Sequence, residues 1–113
     1  MTLVHPLPDA LVEHIAQRFR VLGEPTRIRL LDRLREGEAS VQELTAALGT
    51  TQQNASKHLG VLHAAGIVSR RREGNRVLYS AADEGVFALC ETVCGDLRRQ
   101  VADLEALLER AAG

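Results

Sequence analysis

Two sets of side chains in this 113-residue sequence have the types and spacing to do chemistry. The first begins with Thr51, Gln52, Gln53, Ser56, Lys57 and His58 and continues further on with Arg70, Arg71, Arg72, Asn75 and Arg76. If 51–65 is helical, Ala55, Leu59 and Leu62 share one face, and Gln52, Gln53, Ser56, Lys57 and Gly60 share the opposite one. Glutamine amides make paired hydrogen bonds to adenine edges in a major groove, a lysine reaches guanine or phosphate, and serine adapts to either. The N-terminus of the same helix would offer free N–H groups and a positive dipole end to phosphate. Arginines flanking a tip asparagine suit the nucleic-acid backbone or a minor groove. An arginine-rich hairpin taken alone is equally a solvated edge that discourages strand pairing. Its place directly after such a helix turns the reading towards double-stranded DNA.

The second set is Cys90 and Cys94, one helical turn apart. Two sulfurs at that spacing share a face and suit one soft or transition metal ion, or a thiol-redox switch. Cys90 also falls on an apolar stripe, where a thiol is simply a small hydrophobe, so both readings stay open. The histidines are scattered. His58 and His63 belong to the reading segment, while His5 and His14 would suit a nickel- or zinc-type site only beside the last helix of a partner. No nucleophile–base pair is apparent and Cys90–Cys94 lacks Cys-x-x-Cys spacing, so the chain is not expected to be an enzyme.

These side chains need elements to hold them. Pro6 and Pro8 mark 1–8 as a flexible N-terminal arm. Leu11, Ile15, Phe19 and Leu22 recur at helical spacing up to Gly23, and a second helix runs from Pro25 through Ile28, Leu31 and Leu34 to Gly37. Ser40-Val41-Gln42-Glu43 is a capping box, and Thr50 with Gln53 offers another after Gly49. Two short helices around a glycine turn form a helix-turn-helix. Residues 67–72 and 76–80 are short, strand-like runs separated by Glu73-Gly74-Asn75, a hairpin that must lean on the helices. From Asp83, Val86, Cys90, Val93, Leu97, Val101, Leu104 and Leu108 mark one long helix whose stripe needs a partner surface, most simply a second copy. The fold class is therefore mainly α with a small β-hairpin wing: a winged helix-turn-helix of four helices, a two-stranded wing and a fifth helix. Residues 9–113 read as one domain, with a reading unit at 40–65, a wing at 67–80 and a dimerisation helix at 83–110.

Composition agrees. Aromatic residues are only 3% of the chain, so the core must be Leu, Val, Ile and Ala, which suits helices. No apolar run approaches the roughly 20 residues that cross a bilayer, and no export signal opens the sequence, so a cytoplasmic protein without membrane contact is expected. The net charge of −1 hides an uneven distribution. Over 52–76, Lys57, Arg70, Arg71, Arg72 and Arg76 face only Glu73, whereas from Asp83 onward seven carboxylates outnumber three arginines.

In this order, several stretches resemble the ArsR/SmtB family of bacterial winged-helix repressors: Leu22-Gly23-Glu24-Pro25-Thr26-Arg27-Ile28-Arg29-Leu30-Leu31, Ser40-Val41-Gln42-Glu43-Leu44, Ser56-Lys57-His58-Leu59-Gly60-Val61-Leu62, Ala65-Gly66-Ile67-Val68 and Tyr79-Ser80. The resemblance implies a homodimer formed through the first and last helices. It also implies sequence-specific binding to an inverted-repeat operator, control of metal or redox stress genes, and release by a metal ion or oxidant. One family site uses Cys-Val-Cys-Asp-Leu, where this chain has Ser40-Val41-Gln42-Glu43-Leu44. Another uses an Asp, a His two residues on, and further ligands; here the positions are Asp83, Gly85, Asp96 and Arg99. Both family metal sites are therefore expected to be lost. That leaves Cys90 and Cys94 as the effector site, or control by a separate sensor partner protein.

Overall fold

The computed structural model describes residues 4–113, so positions 1–3 of the expected arm lie outside the described residues. The elements are α1 (Asp9–Leu22), α2 (Pro25–Leu34), β1 (Ala39–Ser40), α3 (Val41–Leu48), α4 (Gln52–Ala64), β2 (Val68–Glu73), β3 (Arg76–Ala81) and α5 (Glu84–Ala112). They fall into two compact units, a body running to Ala82 and a C-terminal unit, Asp83–Gly113.

Local chemistry fixes the ends of the body's helices. Glu24 caps α2 by accepting from the Arg27 N–H, with Pro25 where a missing N–H costs nothing. This helix stops at Leu34, short of Gly37. At α3 both bonds of the capping box form: Glu43 N–H donates to Ser40 Oγ at 3.1 Å, and Ser40 N–H donates to Glu43 Oε1 at 3.2 Å. Gly49 then turns the chain at φ 64°, a left-handed conformation that a side chain would strain. The next cap sits one residue later than its spacing suggests. Thr51, not Thr50, receives the Asn54 N–H, while Thr50 accepts from the Asn54 side-chain amide.

Leu30, Leu31 and Leu34 of α2, Leu44 of α3, and Ala55, Leu59 and Leu62 of α4 form the core with Ile67, Val68 and Leu78. Ile28, at the spacing of a core residue, is exposed instead. The wing has three strands rather than two, in the antiparallel order β1-β3-β2. The extra strand is only Ala39 and Ser40, paired with Tyr79 and Leu78. A segment that short has no alternation to read, and its pairing is set by a distant strand. On α1, Leu11, Val12 and Phe19 are exposed.

The C-terminal unit is a single 29-residue helix capped by Asp83, whose carboxylate accepts the Gly85 N–H at 2.9 Å. Val86 is its buried residue, and Val93, Leu97, Val101, Leu104, Leu107 and Leu108 are exposed. Among the described residues no helix is long and apolar enough to cross a membrane.

Candidate nucleic-acid interface

The two faces of α4 fall as its spacing requires. Ala55, Leu59 and Leu62 turn inward, and Thr51, Gln52, Gln53, Ser56, Lys57 and Gly60 are exposed. Beside it the wing carries Arg70 and Arg72 opposite Tyr79 and Val77 of β3, with Asn75 in the turn at Gly74 (φ 61°). An open groove of about 600 Å³ joins the two, lined by Gln52 and Ser56 of α4, by Arg70, Arg71, Arg72 and Asn75, and by Val41, Gln42, Val77 and Tyr79. Gln42 is a groove residue that sequence reasoning missed. Its signal was its place as an exposed polar residue in the first turn of α3.

The wing arginines are not equivalent. Arg71 grips Glu38 with two parallel hydrogen bonds, Nε to Oε2 and Nη2 to Oε1, each 2.7 Å, and also pairs with Glu73 at 3.0 Å. That fork is the strong geometry for an exposed pair. Its main effect on Glu38 is to hold the carboxylate below its ordinary pKa, and Arg71 is raised in turn. Arg76 stands 4.0 Å from Glu43. Arg70, Arg72 and Lys57 are exposed, and among the described residues none of the three makes an ion pair.

His58 corrects the expectation that it contacts DNA. It is 7% exposed, and its Nδ1 lies 3.0 Å from Arg27 Nη1 and 3.7 Å from Glu24 Oε2. The reason is helical period: 55, 58, 59 and 62 share the inward face.

On α5 both thiols are free, Cys90 half-buried and Cys94 exposed. Cys94 borders a shallow apolar groove with Leu97, Val101 and Ala102. Among the described residues no three His, Cys, Asp or Glu side chains cluster as a metal site would need.

Comparison with known proteins supplies the rest. A family model described as a helix-turn-helix domain matches residues 22–71. The uncharacterized HTH-type transcriptional regulator Rv0081 of Mycobacterium tuberculosis is 41% identical over 101 residues, which cover 87% of this chain and 89% of that protein. Its crystal structure superposes with a TM-score of 0.77 at 37% identity, covering 85% of this chain and 97% of that one. The HTH-type transcriptional repressor SmtB of the same organism is 39% identical over 82 residues, 73% of this chain and 61% of that protein. This chain belongs to the ArsR/SmtB family. It is a winged helix-turn-helix transcriptional regulator. Its fold is also that of the homodimeric winged helix-turn-helix DNA-binding domain of Mb0332 from Mycobacterium bovis, with a TM-score of 0.71 at 33% identity, covering 85% of this chain and 92% of that one.

Tested against the family's metal sites, the residues present do not fit. Ser40 and Gln42 stand where one site has its thiolates; Ser40 is a buried helix cap and Gln42 lines the groove. At the other site Asp83 is spent on capping α5, and Arg99 pairs with Asp96.

Proposed function

We propose that this regulator binds double-stranded DNA as a symmetric homodimer, each α4 in a major groove and each wing on the neighbouring backbone. The groove that joins Gln52 and Ser56 to Arg70, Arg72 and Asn75 carries this reading, because one concave surface then offers base-reading amides beside unpaired cations. Thr51 and Ser56 would approach the backbone at the helix start, Gln52 and Gln53 the base edges, and Lys57 a phosphate or guanine. Arg71, tied to Glu38, would hold the wing's angle while Arg70, Arg72 and Arg76 meet phosphates. Exposed apolar side chains on α1 and α5 would be covered by the second copy, as expected of the first and last helices. Such a protein works where the chromosome is, in the cytoplasm, on an inverted repeat whose two halves face the two copies.

The test is fluorescence anisotropy with a labelled duplex from the DNA upstream of its own gene, against unlabelled competitor. The reading expects tight binding to that duplex, at least about 10³-fold stronger than to random sequence. Equal binding to both would defeat sequence specificity, and no binding at low salt would defeat the whole reading.

For control, the exposure of Cys94 on the apolar side of α5 favours direct sensing through Cys90 and Cys94, by a soft or transition metal ion or by thiol oxidation. The response would concern metal or redox stress genes. A Cys90→Ser/Cys94→Ser variant would then bind the operator normally and ignore metals and oxidants. If that variant still responds, or if the unaltered dimer never does, the thiols are not the sensor, and the second result returns control to a separate partner protein.

A further inference from the structure

His58 lies on the reading helix, is buried, and has no part in the DNA contacts proposed above. Its Nδ1 is 3.0 Å from Arg27 Nη1. A guanidinium only donates, so Nδ1 must hold a lone pair and the ring proton must sit on Nε2. The same guanidinium donates Nε–H to the Val21 carbonyl at 2.6 Å and Nη2–H to the Arg20 carbonyl at 3.2 Å. Both carbonyls belong to the last turn of α1, where the helix supplies no partner. Glu24 completes the cluster. Its Oε2 accepts the Arg27 N–H at 3.0 Å and faces His58 Nδ1 at 3.7 Å. One guanidinium thus fastens the end of α1, the start of α2 and the inner face of α4.

Apolar contacts of Ala55, Leu59 and Leu62 hold α4 down but are non-directional. The Arg27–His58 bond is directional, and it sits on the residue next to Lys57. We propose that Arg27 and His58 are positioning residues for DNA reading: their hydrogen bond fixes the rotation of α4 about its axis, and with it the direction in which Gln53 and Lys57 are presented. The inference rests on the DNA-binding reading for its consequence, but the bond itself can be tested without DNA.

Imidazole ¹⁵N NMR of the free dimer above the histidine range, near pH 8, should show His58 with its proton on Nε2 and Nδ1 accepting. A proton on Nδ1 would overturn the couple whatever the protein does with DNA. For the consequence, His58→Asn keeps an acceptor oxygen near the Nδ1 position, and His58→Leu keeps apolar bulk without one. At a temperature where both remain folded dimers, His58→Asn should bind the upstream duplex within about threefold of the unaltered protein and His58→Leu about tenfold more weakly, the loss of one charge-assisted bond. Unchanged binding by His58→Leu, or equal loss in both variants, would overturn the positioning role. If His58→Leu does not fold, Arg27→Lys replaces it. Lysine keeps the charge without the fork, so about tenfold weaker binding is again expected, and unchanged binding overturns the proposal. Failure of the unaltered protein to bind DNA sinks the functional reading, and the NMR result still decides whether the couple exists.

Discussion

In the body, Leu30, Leu44, Leu59 and Leu62 are wholly buried, whereas along α5 Val93, Leu97, Val101, Leu104, Leu107 and Leu108 stand about half exposed. The residue types are the same and their fates differ. From α2 through the sheet the body buries most of its large apolar residues internally, Ile28 excepted, while α1 leaves Leu11, Val12 and Phe19 exposed. The C-terminal helix keeps a stripe that water penalises at roughly 25 cal/mol per Å². A helix this long and this poorly covered gains from a partner, so the proposed function assigns recognition to α4 and the wing, and assembly to α5 together with α1.

Charge should break that division most sharply. Leu97→Glu together with Leu104→Glu is expected to leave the body folded, convert the dimer to monomers in sedimentation, and weaken operator binding about 100-fold or more, since two half-sites no longer act together. A double variant that stays dimeric would show that α5 is not the assembly element.

Cavity formation should separate the two regions by a different signature. Leu59→Ala removes a fully buried side chain and is expected to cost about 2–5 kcal/mol in denaturant unfolding. Leu104→Ala, at 58% exposure in one chain, should cost less, and its effect should fall as protein concentration rises. Equal and concentration-independent losses would erase the distinction.

Within the body, the wing arginines allow a finer cut. Arg72→Ala should weaken binding and reduce the steepness of its salt dependence by about one phosphate per chain. Arg71→Ala should weaken binding with little change in that slope, because its charge is already paired with Glu38. Gln53→Ala should lower discrimination at one base pair by about 1–3 kcal/mol while leaving the slope alone.

The smallest effect concerns acid. Glu43 is held below its ordinary pKa, first by the N–H of Ser40 and then by its hydroxyl. A carboxylate depressed on folding contributes stability that is present above its unfolded pKa and is lost as pH falls through the folded value. The thermal midpoint should therefore decline on acidification below about pH 4.3, and Glu43→Gln should flatten part of that decline in a calorimetric pH series.

Features that depend on neighbours in sequence were legible before the structure. The Ser40–Glu43 capping box, the Gly49 turn, the inward Ala55–Leu59–Leu62 face and the α5 stripe are all local patterns, and they placed α3, α4 and α5. Features that depend on distant partners were not legible. The short β1 exists only because β3 pairs with it. Arg71 is withdrawn from the wing's free charge by Glu38, 33 residues earlier. His58 is the instructive miss, because its spacing from Ala55 and Leu62 already put it on the buried face. Its polar type suggested surface, but Arg27, 31 residues away, supplies the partner that makes burial tolerable.

Salt titration of the unaltered protein on its upstream duplex, with stoichiometry measured in the same samples, tests the central claim most directly. Two copies, each placing Lys57, Arg70, Arg72 and Arg76 on phosphates, predict two chains per site. They also predict a log–log slope of about −7, from roughly eight neutralised phosphates. A single chain per site, or affinity indifferent to salt, would contradict the account.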